Sequence, residues 1–86
     1  MMKVQILGTG CPKCKALAAN AERALQDLGI TADIEKVEKI ADIVRMGVMM
    51  TPGLAIDGEV KASGHVLSVA EVKQILASVA GAPAGN

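Results

Sequence analysis

VMMTPGLAIDGEVKA, residues 48–62, holds two apolar runs that meet at Asp57-Gly58. An Asp-Gly pair accepts the positive φ angles of a two-residue hairpin turn, so this stretch predicts two antiparallel strands. What precedes it alternates strand and helix. KVQIL, residues 3–7, sets Val4 and Ile6 against Lys3 and Gln5 and ends at Gly8, which reads as a strand that Leu7 thickens toward a buried one. From Pro12 onward, Leu17, Ala21, Ala24, Leu25 and Leu28 fall on one face of a long helix, and Gly29 stops it. ITADIEKV, residues 30–37, alternates Ile30, Ala32 and Ile34 with Thr31, Asp33 and Glu35, the period of a second strand. A short helix over 39–46 carries Ile40, Ile43 and Val44 and ends at Gly47. Beyond the hairpin, Ser68 and Glu71 form a capping box, and Val69, Val72, Ile75, Leu76 and Val79 mark one face of a last helix.

The order is therefore β-α-β-α-β-β-α, without repeats, linkers or low-complexity tracts. Two strands separated by a helix pair in parallel, and the closing hairpin adds antiparallel strands. The result is a four-stranded mixed sheet with helices on its faces, an α/β sandwich of three layers. Residues 1–80 form one domain, and the tail GAPAGN, 81–86, has little to bury and is expected to fray.

A chain of 86 residues buries only about 60% of the surface it exposes when unfolded, so every core position counts. Hydrophobic residues make up 51%, yet Phe, Tyr and Trp are absent, and the core must be built from aliphatic side chains and methionine. Nine basic and nine acidic residues cancel. That balance offers no electrostatic footprint for a phosphate backbone or an anionic bilayer, so neither nucleic acid nor membrane is an expected partner. The apolar stretch in MMKVQILG is too short for a signal peptide, and no apolar run approaches a membrane span, so the expected location is the cytoplasm.

Both cysteines lie in GCPKC, residues 10–14. A structural disulfide is disfavoured in the cytosol and would close too small a loop to remove much entropy from the unfolded chain. The pair reads instead as a redox dithiol or as metal ligands. Pro12 suits the first helical position, which makes Cys11 the N-cap. Free backbone N–H groups and the positive end of the helix dipole there favour a thiolate, with Lys13 and Lys15 nearby, so the expected pKa of Cys11 is lowered. Cys14, one turn inside the helix on the same face, is expected to be more buried and less acidic, suited to resolving a mixed disulfide formed on Cys11.

A first strand ending in a glycine loop, a C-x-x-C opening the first helix, and Thr51-Pro52 just before a strand together resemble the thioredoxin superfamily over nearly the whole chain. GCPKC with TPGLAIDGEV is most similar to the small, glutaredoxin-sized redox-active disulfide proteins of bacteria and archaea. The resemblance implies a thioredoxin-like three-layer sandwich. It also implies a thiol-disulfide oxidoreductase in which Cys11 attacks and Cys14 resolves, with no organic cofactor and no metal in the cycle. Pro52 is implied to follow a cis peptide bond and to lie against the cysteines. The Thr51 backbone would then pair with an extended substrate segment, and Gly10, Pro12 and Lys13 would line the same groove. Implied partners are protein disulfides and, as reductant, a flavoprotein of thioredoxin-reductase type or a small thiol, with the protein itself a monomer. Departures are visible too: Gly10 precedes Cys11 where thioredoxins carry Trp, Pro12-Lys13 replaces Gly-Pro, and KVQILGTG, 3–10, lacks the buried acid that helps deprotonate the second cysteine.

Three other readings bear on the same residues. Copper chaperones also place a C-x-x-C before a first helix, and Met49 and Met50 offer soft ligands for Cu(I). Their β-α-β-β-α-β order ends on a strand, however, whereas this chain ends on a helix. A redox-sensing, partner-binding module on the same scaffold is a second alternative, and two small residues packed at a helix start a third. Met49 and Met50 are expected to line an apolar patch beside Pro52, and His65 to be a solvated loop residue.

Overall fold

The structure, a computed structural model, describes residues 2–79. The expected fraying of 81–86 lies outside the described residues. The element order is β1 (Met2–Leu7), α1 (Pro12–Leu28), β2 (Ala32–Val37), α2 (Ile40–Arg45), β3 (Gly53–Ile56), β4 (Glu59–Ser63) and α3 (Val69–Val79). One four-stranded sheet runs in the order β2-β1-β3-β4, with β2 parallel to β1 and the β1/β3 and β3/β4 pairs antiparallel. This is the α/β sandwich with a mixed sheet that the element order implies.

Helices α1 and α3 cover one face of the sheet. Val4 and Ile6 of β1 and Leu54 and Ile56 of β3 pack there against Leu17, Ala21, Ala24, Leu25, Val72 and Leu76. Alanine on α1 lets helix and sheet approach closely, which is how a core without aromatic rings is filled. On the opposite face Leu7 and Ala55 meet Ile43 of α2 and Val48. Every residue of β3 is buried, as suits a central strand covered on both sides. The hairpin turn has φ values of 52° at Asp57 and 87° at Gly58. Asp57 also does more than turn the chain, because its carboxylate accepts a bond from the N–H of Lys3 at 2.9 Å and ties the hairpin to the start of β1. The capping box closes in both directions: the Ser68 N–H donates to the Glu71 carboxylate at 2.9 Å, and the Glu71 N–H donates to the Ser68 hydroxyl at 3.1 Å.

Two boundaries differ from the sequence reading, for one reason. Gly29 and Ile30 donate back to the carbonyls of Gln26 and Leu25, so the end of α1 holds residue 30 and β2 begins only at Ala32. Gly47 and Val48 repeat this closure on Val44 and Ile43. Val48 is thereby buried under α2 as part of the helix end, and the apolar run at 48–50 does not enter β3. In α2 only Ile43 faces the core, leaving Ile40 and Val44 exposed.

Candidate active site around the cysteine pair

Cys11 is the N-cap of α1, with extended backbone angles and Pro12 at the first helical position. Its Sγ accepts the backbone N–H of Cys14 at 3.3 Å and lies 2.7 Å from the Cys14 Sγ, both cysteines being free thiols. The two sulfurs are unlike in their surroundings. Cys11 is partly exposed, and hydrogen bonds first from the Cys14 thiol and then from the Cys14 N–H hold its thiol below the ordinary range. Cys14 is only 5% exposed, and burial first, followed by its hydrogen bond to Cys11, pushes its thiol up. The lowered value of Cys11 therefore comes from hydrogen bonds at the helix start. Lys13 contributes through its backbone N–H, and its side chain is exposed. This asymmetry predicts the order of alkylation: with limiting iodoacetamide at neutral pH, Cys11 is expected to be labelled well before Cys14, as read by peptide mass spectrometry. Equal labelling would show that the asymmetry does not reach the chemistry.

The wall behind Cys14 is backbone. A Cβ placed on Gly8 would fall 2.1 Å from the Cys14 Sγ and 3.7 Å from the Thr51 Cβ, so Gly8 is where the cysteine helix and the Thr51-Pro52 loop converge. The Thr51–Pro52 peptide bond is cis, Pro52 is fully buried, and Thr51 is exposed at the mouth of the site. The carbonyl of Pro52 accepts the N–H of Gly64 at 2.9 Å, which pins the loop to the end of β4. Gly10 has φ 86°, a left-handed conformation that glycine adopts without strain.

The residues singled out in the sequence are thus placed in two ways. Gly10, Cys11, Pro12 and Cys14 share one loop and helix start, and Thr51, in the loop before the neighbouring strand β3, comes close to Gly8 beside Cys14. Met49 and Met50 are 82% and 67% exposed beside that loop. The Met50 side chain is turned toward Gly64, its Sδ 3.9 Å from where a Cβ of residue 64 would stand. His65 is exposed beyond β4. Among the described residues no group of three or more His, Cys, Asp or Glu side chains gathers to hold a metal ion. Nor is any helix among the described residues long and apolar enough to cross a membrane.

Sequence reasoning missed Gly8 as a site residue, having assigned it only the end of a strand. It also missed Lys36 and Glu38, which line a small cavity beside Cys14. One signal was present: continuing the alternation of Ala32 and Ile34 puts position 36 on the inward face of β2, where a lysine calls for explanation.

Comparison with known proteins agrees with this geometry. Residues 2–77 match the family described as Thioredoxin domain. The chain is 49% identical over 76 residues to a thioredoxin of Methanothermobacter thermautotrophicus, covering 88% of this chain and 99% of that protein. It is 41% identical over 78 residues to a thioredoxin of Methanocaldococcus jannaschii, covering 91% and 90%. The solution structure of oxidised thioredoxin from Plasmodium falciparum superposes with a TM-score of 0.62 at 14% identity, covering 92% of this chain and 81% of that one, a likeness of fold.

Proposed function

The chain belongs to the thioredoxin family and is a thiol-disulfide oxidoreductase, and from that premise we propose that it is a cytoplasmic, monomeric protein disulfide reductase working through Cys11 and Cys14. One observation carries the reading: two thiols 2.7 Å apart on one helix turn, the outer pushed toward the thiolate and the inner away from it. The Cys11 thiolate attacks one sulfur of a substrate disulfide, forming a Cys11–substrate bond and releasing the first substrate thiolate. Cys14 then attacks the Cys11 sulfur, the Cys11–Cys14 disulfide forms, and the second substrate thiolate leaves. Two electrons have passed from the protein to the substrate. A dithiol flavoprotein or a small thiol returns them and resets the pair.

In this reading Thr51, an exposed residue, pairs through its backbone with an extended substrate segment beside Cys11, and Gly10, Pro12 and Lys13 contact the same segment. This placement suits a protein substrate, because main-chain pairing reads extended backbone and leaves the side-chain sequence free.

The test is a redox titration of the purified protein in dithiothreitol buffers, with and without a chelator, counting alkylated thiols by mass spectrometry. A single two-electron step joining Cys11 to Cys14, unchanged by chelator, is the expected result. Thiols that stay blocked until chelator is added, and form no intramolecular disulfide, would replace this reading with a metal-binding one.

A further inference from the structure

The dithiol cycle proposed for Cys11 and Cys14 leaves one proton unaccounted for. When Cys14 attacks the Cys11–substrate disulfide, its thiol must lose a proton. Burial, the largest influence on that thiol, makes it a reluctant acid, and this influence persists when Cys11 is bonded to substrate. Strand β1, which runs behind the site, carries no carboxylate.

Beside Cys14 lies a cavity of about 40 Å³, bordered by Gly8, Gly10, Cys14, Lys15, Lys36 and Glu38. A water needs roughly 10–15 Å³ of such space and two to four polar partners, so the cavity is roomy enough for one. The charged groups facing it come from separate elements: Lys15 from α1, Lys36 from the end of β2, and Glu38 from the segment after β2. Of these three, only Glu38 can accept a proton.

Gly10 completes the arrangement. The Glu38 Oε2 lies 3.6 Å from where a Cβ of residue 10 would stand, so a larger side chain would meet the carboxylate at the edge of the cavity. Because Glu38 is itself exposed, a proton delivered to it has an open path to bulk water.

Resting on the dithiol cycle, we infer that Glu38 is the proton acceptor for Cys14, acting through a water held in this cavity between carboxylate and thiol. In the resolving step the Cys14 proton passes by way of that water to the Glu38 carboxylate and then to solvent. The freed thiolate forms the bond to the Cys11 sulfur as the substrate sulfur leaves. Glu38 touches no substrate and acts on Cys14 only through the water.

The experiment is stopped-flow reaction of the reduced full chain with an aromatic disulfide that liberates one coloured thiolate when Cys11 attacks and a second when Cys14 resolves. In Glu38→Gln the first phase is expected to keep its rate. The second should slow about a hundredfold near neutral pH, the scale of a lost general base. The deficit should vanish at alkaline pH, where hydroxide ionises Cys14 directly, and Glu38→Asp should fall between the two. A second phase with unaltered rate and pH profile in Glu38→Gln would overturn the assignment. So would equal slowing of both phases, which marks a structural effect. If the unaltered chain shows no second phase at all, it is the dithiol cycle that fails.

Discussion

Changing Cys14 to serine is expected to abolish turnover while leaving each molecule able to attack once, so the protein accumulates as a mixed disulfide on Cys11. The Cys11 thiolate keeps the backbone N–H of residue 14 as a hydrogen-bond donor, and the serine hydroxyl stands in for the lost thiol donor. What disappears is the internal nucleophile 2.7 Å away. Well-oriented intramolecular reactions have effective molarities of about 10⁵–10⁸ M, so a millimolar external thiol is a poor substitute in the release step. Incubation with a disulfide substrate should give a stable adduct of one substrate per chain by mass spectrometry under non-reducing conditions. Cys11→Ser, by contrast, should form no adduct, with reduction falling to the uncatalysed background, because the remaining thiol is buried and held in its protonated form. Equal residual turnover in both variants would show that the two cysteines share one role.

Gly8→Ala should damage the site almost as severely, through packing alone. The added methyl would lie 2.1 Å from the Cys14 Sγ and 3.2 Å from the Cys14 Cβ, distances that force α1 or the Cys14 side chain to move. Gly8 has little freedom to yield, since it is buried and its N–H donates to the carbonyl of Val37 at 2.9 Å. Overpacking of this kind costs about 1–3 kcal/mol, which should appear as a lower melting temperature by circular dichroism. A shift of roughly 1 Å between reacting groups can cost about a hundredfold in rate, so closure of the Cys11–Cys14 disulfide from the mixed disulfide should slow on that scale. Adding Cys14→Ala to Gly8→Ala removes the Sγ that clashes and should recover much of the lost stability. Additive losses in the double variant would place the strain elsewhere.

These two positions also show what a sequence discloses and what it withholds. Helix α1, the Asp57-Gly58 hairpin and the Ser68/Glu71 box were legible because each is written in neighbours: a cap, a turn pair, a spacing of three or four. The cysteine pair and Thr51-Pro52 were singled out through a family resemblance, which rests on their place in the element order. The ends of β2 and α2 were read less well, since the backbone closures at Gly29 and Gly47 pull Ile30 and Val48 into the helix ends, and apolar alternation carries no mark of that. Gly8 and Glu38 matter only through what lies across from them, a sulfur on α1 in one case and a cavity in the other. No local pattern encodes such a juxtaposition.

The placement of Cys11 at the first turn of α1 makes a helix cap and a redox couple one thermodynamic object. Whatever free energy the helix start contributes to holding the thiolate is contributed to the reduced protein and withheld from the oxidised one. Strengthening the cap therefore makes the protein a better oxidant, and weakening it a better reductant, with a tenfold change in the exchange equilibrium corresponding to about 30 mV. Selection on the residues around this turn acts on electron flow and on folding at once, and neither can drift without the other.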